Sequence, residues 1–531
     1  MSRESRSAPG FARRRFLGTM MGGAALVGAS PLLAACGGAT PGAADAAASG
    51  PPKRGGTMRI GVAGGGAKDS VDPHTPATNP DIARVINMYE PLAWRDEQYK
   101  LVMELAESIE PSKDVRTWTV RLRKGIRFSD GRAVTADDVI GSIKRMVNPK
   151  SPGNASAYMA VVDHMTKRDT RTVEFHLKTP NAIFDDYLGQ YSDGIVPVDF
   201  DVKHPVGTGA FRLDSFTPGQ QSTHSRNPYY WREGEPYLDK IQIIDFPDDN
   251  ARVNAMLSNQ VDAIDNVPLP LVKVLKTDPR LRVLTSETGT WLPFTMRVDK
   301  APFDDVRVRQ AMRLVVDRDQ MVRQVLSGQG RVANDLYAPY DPGFDHDLPQ
   351  RKQNIAEAKR LLAAAGKSDL TVELVTSPIQ AGIVEAAQVY AKQAAEAGIT
   401  VKIRKVDTST FFGDDYLSWD FAQDFWYTRN YLPQVSTGSI KGGAYNETHW
   451  PSRQDDKAFM GLFNEAISTI DENTRNALIK RLQKIEYDDG GYIIWGYPNQ
   501  VDAYTRYVGG LLPDRQGIPL NSYRFRKAWL A

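Results

Sequence analysis

The chain has 531 residues, 24% of them charged, with 66 Lys/Arg against 64 Asp/Glu and one cysteine. A single cysteine excludes an intramolecular disulfide, and a body without Lys/Arg blocks offers no electrostatic footprint for nucleic acid. The length exceeds what one hydrophobic core serves, so two or three domains are expected.

The N-terminal segment reads as an address. Arg13-Arg14-Arg15 precede 20 uncharged residues, Phe16 to Ala35, and small residues lead up to Cys36, which is the order of an export signal. The arginines before Phe16-Leu17 resemble the twin-arginine signal. Leu33-Ala34-Ala35-Cys36 resembles the bacterial lipoprotein box, in which the thiol is lipidated and becomes the new N-terminus. Residues 1–35 are therefore expected to be a signal peptide, and Cys36 the lipidation site. The alternative, a transmembrane helix, is weakened by Gly18, Gly22, Gly23, Gly28 and Pro31 and by a polar linker without a stop-transfer pattern. Removing residues 1–35 takes five Arg and one Glu from 66 and 64, leaving 61 against 63 and a formal balance of −2. The excess of positive charge belongs to the signal. Residues 36–56, rich in Gly, Ala, Pro and Ser, cannot bury enough apolar surface to order themselves and are expected to be a tether.

The fold is expected to start near Thr57, where Met58 to Val62 alternates as a strand. Trp118 to Arg123 alternates likewise, and Asp130-Gly131 marks a turn. Thr135 with Asp138 forms a capping-box pattern, after which Val139, Ile140, Ile143, Met146 and Val147 share one helical face until Asn148-Pro149. Asn354 with Glu357 opens another helix that ends at Gly366. Leu370 to Thr376 reads as a strand, Ile383 to Ala397 as a helix closed by Gly398, and Val401 to Val406 as a second strand. That spacing predicts a βαβ crossover and a parallel pair. The fold class is mixed α/β.

Catalytic apparatus is sparse. The seven histidines, His74, His164, His176, His204, His224, His346 and His449, include no pair at metal-ligand spacing, so no metal site is expected. Gly366-Lys367-Ser368 lacks the first glycine of a phosphate loop, since position 361 is Leu, and reads as a helix C-cap. Gly61 to Gly66 does not match a dinucleotide fingerprint and reads as a turn or close backbone approach. No nucleophile-elbow serine is present. The acidic pairs Asp137-Asp138 and Asp304-Asp305 sit where helices begin, which favours capping over glycosidase chemistry. No catalytic residue and no cofactor are assigned.

An aromatic cluster stands out late in the chain. Phe411, Phe412, Tyr416, Trp419, Phe421, Phe425, Trp426, Tyr427, Tyr431, Tyr445 and Trp450 are interspersed with Asp420, Asp424, Arg429, Asn430 and Asn446. Rigid rings give contact area at low entropic cost, and nearby amides and charges set orientation, as a ligand pocket requires. Phe421 and Phe425 are spaced as one face of a strand and are expected to be core. Trp426 to Tyr431 lacks periodicity and is expected to be a ligand-facing loop. The candidate ligand set is Trp426, Tyr427, Arg429, Asn430, Tyr431, Tyr445, Asn446, Trp291 and Asp424.

Several segments together resemble the extracellular solute-binding proteins of peptide-type ABC importers (family 5). They are Gly55 to Gly61, Val71-Asp72-Pro73-His74, Tyr89-Glu90-Pro91-Leu92, Leu105 to Glu110, Trp118 to Val139, Val206 to Phe211, Asn227 to Trp231, Pro236 to Ile241 and Pro302 to Ala311. The resemblance implies a periplasmic-binding-protein-like, two-lobed cleft fold with an additional inserted domain. Domain I would be discontinuous (57–88, 206–292 and 499–531), with domain II at 89–205 and domain III at 293–498. It further implies a non-enzymatic receptor that captures a peptide or similarly polar solute, an ABC permease and ATPase subunits as partners, and a monomer held at the outer face of the membrane by its lipid. Peptide-binding members carry an Asp three places after a Trp that pairs with the ligand's α-ammonium. Here Trp426 fits the Trp, but Arg429 stands in the third place. That reversal of charge favours a carboxylate or phosphate, unless Asp424 or Asp420 pairs with an amine from another register. The competing reading is a secreted hydrolase acting on peptides or glycans.

Overall fold

The computed structural model describes residues 50–440, 443–450 and 457–531. Cys36, the expected signal at 1–35 and most of the expected tether lie outside the described residues. Among the described residues no helix is long and apolar enough to cross a membrane.

The fold is mixed α/β, built on three principal sheets. The largest has seven strands in the order Leu281–Ser286, Gln500–Thr505, Ala263–Ile264, Thr57–Ala63, Lys240–Phe246, Gln221–Arg226 and Phe211–Thr217. Thr57–Ala63 runs parallel to both of its neighbours and pairs Met58 with Ile241 and Ile60 with Ile243. Alternation decides which face is buried: Met58, Ile60 and Val62 lose all solvent contact and meet Ile241 and Ile243 in one apolar cluster. Each such side chain contributes about 1.5–3 kcal/mol relative to exposure. Gly61 in this strand is explained by a close approach, because a Cβ there would lie 3.1 Å from the Phe246 ring and 3.2 Å from Ile264.

A four-stranded antiparallel sheet has the order Ala106–Pro111, Thr117–Leu122, Thr172–Leu177 and Val162–Asp169. The helix Ala136–Met146 packs on it through Val139, Ile143 and Met146. Its capping box forms as the sequence predicts, with the Asp138 carboxylate accepting the Thr135 N–H at 2.8 Å.

The third sheet has five strands, Thr400–Lys405, Thr371–Thr376, Phe421–Gln423, Phe294–Met296 and Tyr492–Ile493. Thr371–Thr376 and Thr400–Lys405 are parallel and joined by the helix Ile383–Ala395, the crossover expected from their spacing. Gly366 adopts φ +68° after the helix Ile355–Ala364, so Gly366-Lys367-Ser368 is a helix terminus. Phe421 is core, and Phe425 packs against the same cluster while reaching the cleft described next. Asp305 caps the helix Val306–Leu314 by accepting the Arg307 N–H at 2.8 Å, in keeping with a capping role for that acidic pair.

Candidate functional site

The aromatic-rich segment leaves the five-stranded sheet at Gln423 and runs to the helix Tyr431–Gly438. A bridge fixes its path. Trp291 and Trp426 exchange backbone hydrogen bonds of 3.0 and 3.1 Å, and their indoles stack 5.9 Å apart at 10°. Tyr337 stacks on the far side of Trp291 (5.2 Å, 19°) and Tyr431 on the far side of Tyr337 (5.2 Å, 14°). Four rings therefore form one column. Its inner end is closed by Glu486, which accepts the Tyr431 hydroxyl at 2.6 Å and the Tyr337 hydroxyl at 2.9 Å. Burial pushes Glu486 up to about 7.

The outer end of the column faces a cavity of about 370 Å³ between two walls. One wall comes from Asp424 to Tyr427 and from Arg429, with Phe412, Tyr416, Thr437 and Tyr445; the other comes from Pro76, Ala77, Asn154, Ala157, Tyr158 and Gln190 to Ser192. The walls are bridged elsewhere by Tyr187 Oη to Ser436 Oγ (3.1 Å), Tyr99 Oη to the Thr428 carbonyl (2.8 Å) and Ala182 N to the Ile467 carbonyl (2.6 Å). Three hydrogen bonds thus join the segments that flank the cavity.

Arg429 dominates its electrostatics. Its guanidinium lies 4.9 Å over the Trp426 ring and donates to Thr437 Oγ1 at 3.1 Å. Among the described residues it has no ion-pair partner, so the remaining N–H groups are free to meet an anion. The Trp426 indole is oriented by Glu447, which accepts its Nε1–H at 2.8 Å. On the facing wall, the Tyr158 hydroxyl donates to Asp193 at 2.6 Å, and burial pushes that carboxyl up to about 7.

Of the nine residues expected to meet a ligand, Asp424, Trp426, Tyr427, Arg429 and Tyr445 line this cavity. Four do not. Tyr431 is fully buried, because it is the first residue of the helix Tyr431–Gly438 and its ring turns inward to Glu486. Trp291 is likewise interior, one layer behind Trp426. Asn446 braces a turn by donating to the Trp450 carbonyl at 2.9 Å. Asn430 points into a second crevice of about 420 Å³, where it donates to Asp186 at 3.2 Å. Sequence reasoning missed the opposite wall. Tyr158 and Tyr191 belong to short segments with no aromatic crowding of their own, and nothing local in Ala155 to Met159 or Gly189 to Asp193 signals a cleft.

Residues 100–446 match the family profile described as bacterial extracellular solute-binding proteins, family 5 Middle. The chain belongs to that family. Among the relatives of this family 5 protein is the oligopeptide-binding protein AppA of Bacillus subtilis, 26% identical over 94% of this chain and 96% of its own length. The di/tripeptide-binding protein 2 of Pseudomonas aeruginosa is 27% identical over 77% of this chain and 84% of its own. In three dimensions it is similar to AgaA of A. tumefaciens, solved with agropinic acid, at a TM-score of 0.78 and 24% identity, covering 90% of this chain and 99% of that one. AppA of B. subtilis, solved with a nonapeptide, aligns at a TM-score of 0.75 and 23% identity, covering 91% and 100%. The fold expected from the sequence is thus that of the periplasmic binding proteins.

Proposed function

We propose that this family 5 protein is the lipid-anchored receptor of an ABC importer, closing two lobes on a peptide or similarly polar solute and delivering it to a membrane permease with its ATPase subunits. The observation that carries the reading is Arg429, held over Trp426 at the mouth of a ring column and without a carboxylate partner among the described residues. A preorganised guanidinium in a cleft recognises a carboxylate or phosphate, and Trp426, Tyr427 and Tyr445 supply flat contact area around it. The names of the oligopeptide- and di/tripeptide-binding relatives support a peptide as the solute. Contacts made only with the lobes together drive closure.

Sheet membership supports a three-domain division. The seven-stranded sheet draws its strands from 57–63, 211–286 and 500–505, the four-stranded sheet from 106–177, and the five-stranded sheet from 294–493. Anchoring through Cys36 rests on the lipoprotein box and would raise the receptor's effective concentration at its permease.

Native mass spectrometry of the protein purified from its own host tests the reading. A single retained solute, released unchanged on denaturation and carrying an acidic group, is the expected result. A solute recovered only as cleaved fragments, or none retained at any stage, overturns it.

A further inference from the structure

The wall that faces Arg429 is assembled from three segments: Pro76 and Ala77, then Asn154, Ala157 and Tyr158, then Gln190 to Ser192. All three are tied to His74, a buried residue that is not itself part of the lining. His74 stands two positions before the first segment. Its carbonyl accepts the Asn154 N–H at 2.8 Å, and Asn154 Nδ2 in turn donates to the Pro76 carbonyl at 2.8 Å. Its imidazole reaches just past the third segment, where Nε2 lies 2.8 Å from the Gly194 carbonyl. The approach is close, since a Cβ on Gly153 would lie 2.9 Å from the His74 carbonyl oxygen.

Arg145, near the end of the helix Ala136–Met146, sets the state of the ring. Its Nη1 lies 2.6 Å from His74 Nδ1 and 2.9 Å from Asp72 Oδ1, while Nη2 pairs with Asp72 Oδ2. Asp72 Oδ1 also accepts the His74 N–H at 2.9 Å. A guanidinium only donates, so Nδ1 accepts and the ring proton sits on Nε2, from which it is given to Gly194. Burial, with Arg145 beside it, holds the imidazole down at about 4, so the ring stays neutral at neutral pH. A neutral imidazole carries one acceptor and one donor on a rigid frame, and here both are used.

We propose that His74 is a positioning residue of the solute cleft: it meets no solute, but through its carbonyl, Nδ1 and Nε2 it fixes the three segments opposite Arg429 in one arrangement. This rests on the receptor reading above. A wall set before the solute arrives spares the cost of ordering it on binding.

Hydrogen–deuterium exchange of the purified protein, with no solute added, reads the wall directly. His74→Leu fills the space but neither accepts nor donates, so amides in 154–158 and 190–195 should exchange about 10-fold faster than in the wild type, while the strand Thr371–Thr376 keeps its rate. His74→Gln, whose amide both accepts and donates, should restore most of the protection. A packing role predicts the reverse order, with the leucine variant close to the wild type; that result, equal acceleration everywhere, or no change in either variant overturns the proposal. Nitrogen NMR of ring-labelled histidines in the wild type needs no variant to fold: the His74 ring should keep its Nε2–H form down to pH 5, and protonation near the ordinary 6.5 overturns the proposal. The fraction of protein that retains its co-purified solute in native mass spectra should fall about threefold or more in His74→Leu and recover in His74→Gln. A full fraction in the leucine variant overturns the positioning role. A wild-type protein that retains no solute removes the receptor reading instead, and the exchange pattern then decides on His74 alone.

Discussion

Trp291 and Trp426 are bound to each other twice, through paired backbone hydrogen bonds and through indoles stacked at 10°. The inner tryptophan sets the plane of the outer one, and the outer one carries Arg429 on its face. Substitutions along this line should therefore separate stability from binding.

Trp291→Ala removes a fully enclosed ring from the middle of the column and is expected to destabilise the unliganded protein by about 3–5 kcal/mol. Tyr431→Phe, which only deletes the hydrogen bond to Glu486, should cost about 1 kcal/mol. Chemical denaturation of the two variants without ligand measures both. Equal losses would mean that the column is not the load path between the helix Tyr431–Gly438 and the cleft.

Arg429→Ala should weaken binding of the acidic solute about 10- to 150-fold, the worth of charge-assisted hydrogen bonds made in an enclosed site. Arg429→Lys should fall between, because an ammonium keeps the charge but not the fork. Calorimetry with the solute identified by mass spectrometry provides the constants, and an unchanged dissociation constant for the alanine variant would rule out the clamp.

Asn430→Ala breaks the link to Asp186 without uncapping the helix that follows, since the Asn430 side chain makes no capping hydrogen bond. The expected effect is a shift toward the open form. Solute affinity should fall about 2- to 10-fold, and the radius of gyration of the ligand-free protein by X-ray scattering should rise.

Asp193 sits at about 7 in the folded protein against the ordinary value of 3.8, because burial disfavours its charge. Between those two values the folded state holds a proton that the unfolded chain has lost, so stability falls as pH rises through this window and levels off above it. Asp502, also pushed up to about 7 by burial, acts in the same sense. Thermal melting from pH 4 to 8 should show a decline that is shallower in Asp193→Asn. A wild-type melting temperature that climbs across the window would contradict the sign.

Cys36→Ser should leave export intact but move the protein from the membrane to the soluble fraction, read by fractionation and by loss of acyl mass from the N-terminal peptide.

How far the sequence speaks depends on the range of the forces involved. The crossover from Thr371 to Lys405 and the capping box at Thr135 are local: periodicity and a side chain reaching three residues along are enough to specify them. The places of Trp426 and Arg429 along the cavity are legible because aromatic and charged residues crowd a segment without periodicity. Tyr431 was misjudged for a reason that no window of sequence contains. The helix begins at that residue, and the carboxylate that receives its hydroxyl is Glu486, 55 positions away. Tyr158 and Tyr191 share the cavity with Arg429 only because two lobes meet there.

The strand Gln500–Thr505 lies between Leu281–Ser286 and Ala263–Ile264, inside the largest sheet rather than at its rim. Synthesis delivers that strand last. Until it docks, two neighbours wait with unpaired edges open to other nascent chains, so a product truncated before residue 500 is a candidate for aggregation rather than a smaller working receptor.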